Sequence, residues 1–368
     1  MKRVLRFLVR LVLGFLGLLL LLIAVEVVAG WRCDLQGHVP SPLPQPEARR
    51  ATVADIQGYS RPEDDTYLSL PEWYIVWSYQ EKADFQQSSL PSRFPYFAAV
   101  RQYWGNYCCI SRLTRGKYGS NSGEQVMLVV IGMSFSAEYI LKGLYEKSIG
   151  RLSEWTSGRQ FTEEDQYAYK VAREYAEFVH VRPFYEFRFA RHVSGLWAEN
   201  PVWGAHELRK IERRTFLTID FTVEAFYCWL IEKATHLTYG HEPSETYAWV
   251  DQVDDAVLTQ LRMVKSVGPR AYVVDIPRYQ EFTTVASMLA QRGVRFVEIA
   301  GNSQITLSVL APESWSYDGS DAQRLFSMPV LTHSKSQRVV LGCRVSALDQ
   351  LLRVLPTRAA VVEHIYDY

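Results

Sequence analysis

The stretch "LVLGFLGLLLLLIAVEVVAGWRC" (residues 11–33) decides the architecture, because no other part of the sequence is apolar over such a length. From Leu11 to Gly30 only Glu26 is charged, and as a helix this segment rises about 30 Å, the thickness of a bilayer's hydrocarbon core. Basic residues precede it at positions 2, 3, 6 and 10. By the positive-inside rule, they place a cytoplasmic tail at 1–10 before a transmembrane helix at 11–30.

A cleaved signal peptide is the alternative, since Val28-Ala29-Gly30 resembles a cleavage site. Trp31 and Arg32, however, are residue types that favour a membrane interface. We therefore favour a retained signal-anchor. The expected protein is a single-pass protein of a bacterial inner membrane, bound through residues 11–30, with most of the chain in the periplasm. The lack of an Asn-x-Ser/Thr acceptor favours that bacterial setting.

Composition excludes several classes of function. Lys plus Arg and Asp plus Glu both number 40, so no overall positive charge favours nucleic acid, and we predict no nucleic-acid partner. The five cysteines have neither Cys-x-x-Cys nor zinc-finger spacing, and no phosphate loop or dinucleotide motif occurs. We therefore predict no metal and no cofactor. Buried thiols are expected, with a bridge from Cys108 or Cys109 to Cys228 as the alternative.

The periodicity predicts an α+β protein with a mainly helical middle domain. Prolines at 31–65 indicate an extended tether, and residues 66–250 have helical patterns. Ser69 and Thr162 are expected to begin helices. The segments 126–135 and 213–237 are also apolar, but neither reaches the 18 residues that a second span needs, so we interpret both as core elements.

A change of period marks a C-terminal domain at 265–368. Strand patterns occur at 271–276, 294–300, 303–310, 338–345 and 359–366. Two strand-helix-strand units follow from them, the second with a helix capped by Ser346, and 311–328 is interpreted as an irregular insert. Together they predict a ferredoxin-like domain.

One candidate catalytic residue is Ser134. The sequence "VMLVVIGMSFSAEYILKGL" resembles the nucleophile elbow of the α/β hydrolases, in which a serine on a tight strand-to-helix turn lies beside backbone N–H groups that hold an oxyanion. The resemblance covers only these residues, and Ser136 replaces the second glycine of the motif.

A second candidate is the pair Asp220 and Glu224, one helical turn apart in an apolar segment. Two like charges at this spacing repel unless a cation, a metal or a shared proton compensates. With a histidine they could form a metal-dependent hydrolase site. We favour a structural ion pair, for which Arg213 lies on the same helical face.

Aromatic residues are dense in the helical half, where amphipathic rings suit a core or a binding surface. If binding is the function, the candidate surface consists of Arg182, Tyr185, Glu186, Arg188 and Trp197.

No catalytic motif is complete. The leading hypothesis is therefore a non-enzymatic interaction or assembly subunit of the cell envelope with an envelope protein as its partner. The alternatives are a membrane-anchored hydrolase using Ser134 or an Asp220/Glu224 metal site, and a lipid- or glycan-binding protein.

Overall fold

The computed structural model describes residues 2–33, 53, 56, 65–115, 123–201, 203–238 and 244–367. Helices and strands are both present, which confirms the α+β class. The chain divides into two compact units. The helical unit comprises Met1–Cys33, Pro71–Cys108 and Gly119–Thr235, and the β unit comprises Asp34–Leu70, Cys109–Tyr118 and His236–Tyr368.

Eight α-helices are described before the first strand. They are α1 (Lys2–Gly30), α2 (Asp65–Gln86), α3 (Tyr96–Leu113), α4 (Gly123–Tyr145), α5 (Arg151–Thr156), α6 (Glu163–Val179), α7 (Phe189–Glu199) and α8 (Glu207–Thr238). The cap of α6 is confirmed, because Thr162 and Asp165 accept each other's backbone N–H. The predicted start of α2 at Ser69 is wrong. That helix begins at Asp65 and contains Pro71.

Two described helical segments are long and apolar enough to cross a membrane, Val12–Gly30 and Gln125–Thr156. The first supports membrane anchoring. The second contradicts the expectation that the apolar segment at 126–135 is too short to form a second membrane span. The helix continues beyond that segment, and a π-helical turn at Glu146–Gly150 joins α4 to α5.

The last turns of α1 pack against α3. Glu26 forms an ion pair with Arg101, with 2.8 Å between Oε2 and Nε. A Cβ on Gly30 would lie 2.3 Å from the Arg101 carbonyl oxygen, so the close approach requires glycine. The Trp31 and Tyr107 ring centroids are 5.8 Å apart. The end of the predicted anchor is thus part of the helical unit.

The β unit contains two four-stranded sheets. Its elements are β1 (Glu245–Asp251), α9 (Asp255–Leu258), β2 (Arg262–Gly268), β3 (Ala271–Pro277), α10 (Gln280–Gln291), β4 (Arg295–Ile299), β5 (Gln304–Pro312), β6 (Ala322–Pro329), β7 (Ser336–Arg344), α11 (Val345–Val354) and β8 (Val361–Tyr366). The strand orders are β2-β3-β1-β4 and β6-β7-β5-β8, and every neighbouring pair is antiparallel. The two sheets therefore have the same topology.

The five predicted strands are confirmed as β3, β4, β5, β7 and β8, but the two strand-helix-strand units lie in separate sheets instead of one. β1 lies in the segment assigned to the helical domain, although its burial alternates as a strand requires. β6 lies in the supposed irregular insert, and a register shift between Arg324 and Phe326 disrupts its period. The cap prediction for Ser346 is wrong, because α11 begins at Val345.

One apolar core fills the β unit. It draws on both sheets and on α10 and α11, with Val274, Phe282, Leu307, Leu341 and Leu348 fully buried. Most of the predicted tether lies outside the described residues. Val53, however, is buried and donates its backbone N–H to the Glu298 carboxylate over 3.0 Å.

The cysteines follow neither prediction completely. Cys108, Cys228 and Cys343 are free and buried, as expected for thiols. Cys33 and Cys109 are disulfide-bonded. The proposed bridge to Cys228 is therefore absent.

Candidate functional site

The most concentrated chemistry of the helical unit lies between α4 and α8. Lys142 Nζ is 2.8 Å from Glu138 Oε1, 2.9 Å from Glu224 Oε1 and 3.1 Å from Asp220 Oδ1. An ammonium group has three N–H donors, and here three carboxylates surround it. These four residues are called the Lys142 cluster.

Helical spacing assembles the cluster. Glu138 and Lys142 are one turn apart on α4, as Asp220 and Glu224 are on α8, so each helix presents two adjacent side chains to the other. The helices run antiparallel. Tyr145 stacks on Phe216 with centroids 4.0 Å apart, whereas Ser134, earlier on α4, bonds Tyr227, later on α8.

The cluster is shielded from solvent, with 12% of the Lys142 side chain and 16% of the Glu224 side chain exposed. It borders a cavity of about 60 Å³ that is also lined by Tyr79 and Lys82. A single water molecule needs about 10–15 Å³ of such cavity space, so the cavity fits a few waters. The Tyr79 hydroxyl donates to Glu138 Oε2 over 2.6 Å.

The electrostatics of the Lys142 cluster single out Glu224 among its three carboxyl groups. Burial raises the pKa of Glu224 to about 7; Glu138 and Asp220 add to the rise, and Lys142 opposes it. Burial and then the positive charge of Lys142 lower the pKa of Lys82. Glu224 can therefore gain or lose a proton near neutral pH. Such titration is typical of functional sites and also of structural ion-pair networks.

A second network extends from the same cavity and is built around arginines. Arg213 pairs with Glu146 over 2.7 Å and with Asp165 over 3.0 Å. Arg209, which is fully buried, donates from Nη2 to Asp165 Oδ1 over 2.8 Å and from Nη1 to Glu212 over 2.9 Å. The cation beside Asp220 is therefore Lys142 instead of Arg213, the residue that the sequence suggested.

The structure contradicts the elbow hypothesis for Ser134. This serine lies inside α4, where no strand-to-helix turn exists to raise its oxygen above an oxyanion site. Ser136 instead donates to the Gly132 carbonyl over 2.6 Å, as hydroxyls inside helices commonly do.

The geometry around Asp220 and Glu224 favours an ion-pair cluster over a metal site. The Lys142 ammonium group occupies the position between the carboxylates that a metal ion would need. No described histidine lines the cavity. Throughout the described residues, no group of His, Cys, Asp and Glu side chains is arranged to hold a metal.

The candidate binding residues do not form one compact surface. Arg182 and Glu186 are exposed in the connection between α6 and α7, and Tyr185 beside them is half-buried. Arg188 pairs with Glu232 over 3.4 Å, whereas Trp197 Nε1 donates to Thr218 over 3.0 Å. Positions 218 and 232 are about 21 Å apart along α8.

Sequence reasoning missed four members of the site, namely Tyr79, Lys82, Glu138 and Lys142. A usable signal existed for two of them. Glu138 and Lys142 are an i,i+4 pair of opposite charge inside an otherwise apolar helix, and such a pair needs partners when it is buried.

Comparison with protein-family models, with curated proteins and with solved structures finds no match to this chain.

Proposed function

We propose that this chain is a membrane-anchored interaction or assembly subunit of the cell envelope, with its N-terminus in the cytoplasm and its β unit outside it. The packing of the last turns of α1 against α3 carries the anchoring part of this proposal. Cleavage near Gly30 would remove the Glu26–Arg101 ion pair from the helical unit. A retained anchor is therefore favoured over a signal peptide.

The disulfide-bonded state of Cys33 and Cys109 supports the location. Cys33 follows the apolar helix by three residues. Disulfides persist in oxidising compartments and are rare in the cytosol. The disulfide-bonded state therefore supports a position of the outer end of α1 on the periplasmic side of an inner membrane.

We also infer that each sheet of the β unit is a shortened ferredoxin-like module. The order β4-β1-β3-β2 with antiparallel neighbours corresponds to the split βαβ arrangement. The first helix of that arrangement is reduced to the single turn α9 in one module, and the residues between β5 and β6 contain no helix in the other. A tandem of such modules is compatible with the proposed protein-binding role.

The location is tested by protease treatment of spheroplasts that contain the full-length protein. We expect the β unit to be digested while α1 is protected. Protection of the β unit until the membrane is lysed would contradict the proposed orientation. A cytoplasmic protein and a periplasmic protein in the same cells serve as controls.

The role as a subunit is tested by native mass spectrometry of the protein, released gently from its own membranes. The expected species contains residues 1–30 and one defined additional protein at fixed stoichiometry. A chain that begins near Trp31 would overturn the anchor. A complete chain that never carries a second protein would overturn the assembly role.

A further inference from the structure

The exposed side of α8 is apolar along most of its length. From Ile211 to Leu230 the exposed residues are Ile211, Thr215, Ile219, Thr222, Val223, Phe226, Trp229 and Leu230. At about 100° per residue they occupy a single stripe. Val223 is 59% exposed and Phe226 is 62% exposed. These values are unusual for large apolar side chains on a water-facing helix.

The charged residues in this part of α8 point inward. Arg213 and Arg214 pair with Glu146 and Glu164, and Glu212 pairs with Arg209. Asp220 and Glu224 bind Lys142. The outward side of this part of α8 therefore lacks the charged residues of a usual globular helix, while its inward side combines charged residues with the buried Leu217 and Phe221.

The polar groups on the exposed stripe are also satisfied within the helix. Thr215 Oγ1 donates to the Ile211 carbonyl over 2.7 Å, and Thr222 Oγ1 donates to the Thr218 carbonyl over 2.6 Å. A hydroxyl bonded in this way does not need water, and membrane helices use the same bond.

α4 repeats the pattern. Its exposed residues from 126 to 144 are Val126, Met127, Val129, Val130, Leu141 and Leu144. Glu138 and Lys142, the charged residues of this stretch, belong to the buried Lys142 cluster. Exposed charges return just beyond it, at Lys147 and Arg151.

The two stripes share one face of the helical unit. On each helix the stripe lies about 100° from the residues that join α4 to α8 and is rotated in the same sense. Because the helices are antiparallel, this rotation brings both stripes to the same side. The exposed apolar residues of α4 and α8 are together called the apolar face.

Another surface of the same unit is ordinary. The outer side of α6 carries Lys170, Arg173 and Glu177, and Arg173 pairs with Glu177 over 2.9 Å. The helical unit is therefore two-sided, with an apolar face and a charged face.

We propose that the apolar face is embedded in the hydrocarbon of the bilayer that α1 crosses, while the charged face of α6 remains in water. This inference rests on the proposed anchoring by α1 and adds a second membrane contact to it. The stripe from Ile211 to Leu230 is about 30 Å long, and a helix that lies along the membrane surface buries such a stripe in hydrocarbon while the opposite side of its unit stays in water. Six residues within the apolar span of α1 are buried or half-buried, at positions 19, 22, 23, 26, 27 and 30. The helices that cover these residues therefore lie at the depth of the membrane.

Contact between the apolar face and lipid is tested with single cysteines in the full chain, each labelled with bimane. The variants Val223→Cys and Val130→Cys report on the apolar face, Arg173→Cys on the charged face and Leu16→Cys on α1. The purified proteins are placed at low density in phosphatidylcholine–phosphatidylglycerol vesicles that contain lipids with nitroxide-labelled acyl chains. Unsubstituted protein measures background from the buried thiols Cys108, Cys228 and Cys343.

We expect positions 223 and 130 to be quenched as strongly as position 16, and position 173 to be unquenched. Quenching at 16 without quenching at 223 and 130 would overturn this inference and leave the anchor intact. Loss of quenching at 16 as well would refute the anchor itself. Thermal melting of each variant before labelling verifies the fold, and Phe226→Cys replaces Val223→Cys if the latter unfolds.

A second copy of the chain is the competing occupant. Pyrene attached at position 223 would then show excimer emission between copies in the vesicles, without lipid quenching of bimane at that position. That result would overturn the proposal in favour of a dimer. Quenching by lipid without excimer emission supports the bilayer.

Discussion

The helical unit and the β unit combine apolar packing and buried charge differently. Arg209 and Arg213 are completely or almost completely buried in the helical unit, where they meet several carboxylates beside an apolar cluster. The core of the β unit consists of aliphatic and aromatic side chains such as Leu341 and Phe282, although Arg338 is also buried there. The stability of the helical unit should therefore depend more strongly on charge pairing and on the surrounding medium, and that of the β unit more strongly on buried apolar area.

The largest expected effect comes from removal of the central cation of the helical unit. Lys142→Met leaves three carboxylates close together without their ammonium partner, which should destabilise this unit by about 3–5 kcal/mol. Hydrogen exchange of peptides from α4 and α8 measures the loss. Lys170→Met is the matched control, because the exposed pair with Glu199 contributes about 0–1 kcal/mol. Equal effects of the two substitutions would show that the Lys142 cluster does not support the unit.

A somewhat smaller effect is expected from a cavity in the β unit. Leu348→Ala removes a fully buried side chain of α11 and should cost about 2–4 kcal/mol. Exchange should rise in the β-strand peptides and stay unchanged in α4 and α8. The control Val361→Ala alters a side chain that is 64% exposed and should have little effect. Faster exchange in both units after Leu348→Ala would mean that they unfold together.

The third prediction concerns pH. The folded-state pKa of Glu224, about 7, lies above its ordinary value, so the folded state binds more protons between these values. This contribution is fully favourable below the ordinary pKa and is lost as pH rises through about 7. Glu224→Gln should remove that loss and stabilise the helical unit at pH 8 by about 2 kcal/mol.

Thermal melting of the full chain from pH 5 to pH 8 measures this difference. The exposed residue Glu177 provides a control as Glu177→Gln, whose pH profile should follow that of the unsubstituted protein. A Glu224→Gln profile with unchanged slope would show that Glu224 stays ionised throughout this range.

Local signals predicted much of the fold. Thr162 and Asp165 specify the start of α6 through bonds between near neighbours, and the apolar runs that predicted β3 and β7 form strands that are buried along most of their length. β6 was missed because its register shift breaks the alternation. The repeated sheet topology is invisible in the sequence, because hydrophobic side chains of many kinds can fill equivalent core positions.

The site was less predictable than the fold. Asp220 and Glu224 were identified because their spacing is local, but Lys142 lies on another helix, and nothing in the spacing along α8 identifies a partner on α4. The exposed apolar stripe of α8 was missed for a related reason. Periodicity shows that charged and apolar residues occupy different sides of the helix, but not which side faces the protein.

The smallest expected effect tests the equivalence of the two sheet modules. Before β4, the Val294 N–H bonds the Leu289 carbonyl, and before β8 the Ala360 N–H bonds the Leu355 carbonyl, each over 3.1 Å. The residue within each turn is left-handed, Gly293 with φ 82° and Ala359 with φ 58°. Glycine tolerates this conformation, whereas alanine is strained there by about 1–2 kcal/mol.

Ala359→Gly should therefore stabilise the β unit by at most about 1 kcal/mol, because the flexibility of glycine in the unfolded chain offsets part of the gain. The neighbouring Ala360→Gly removes a buried methyl group where φ is not positive and should destabilise the unit. Chemical unfolding followed by hydrogen exchange in β8 gives both signs. If both substitutions destabilise the β unit, glycine is not favoured in the turn before β8. The two modules would then differ in the energetics of this connection despite their common topology.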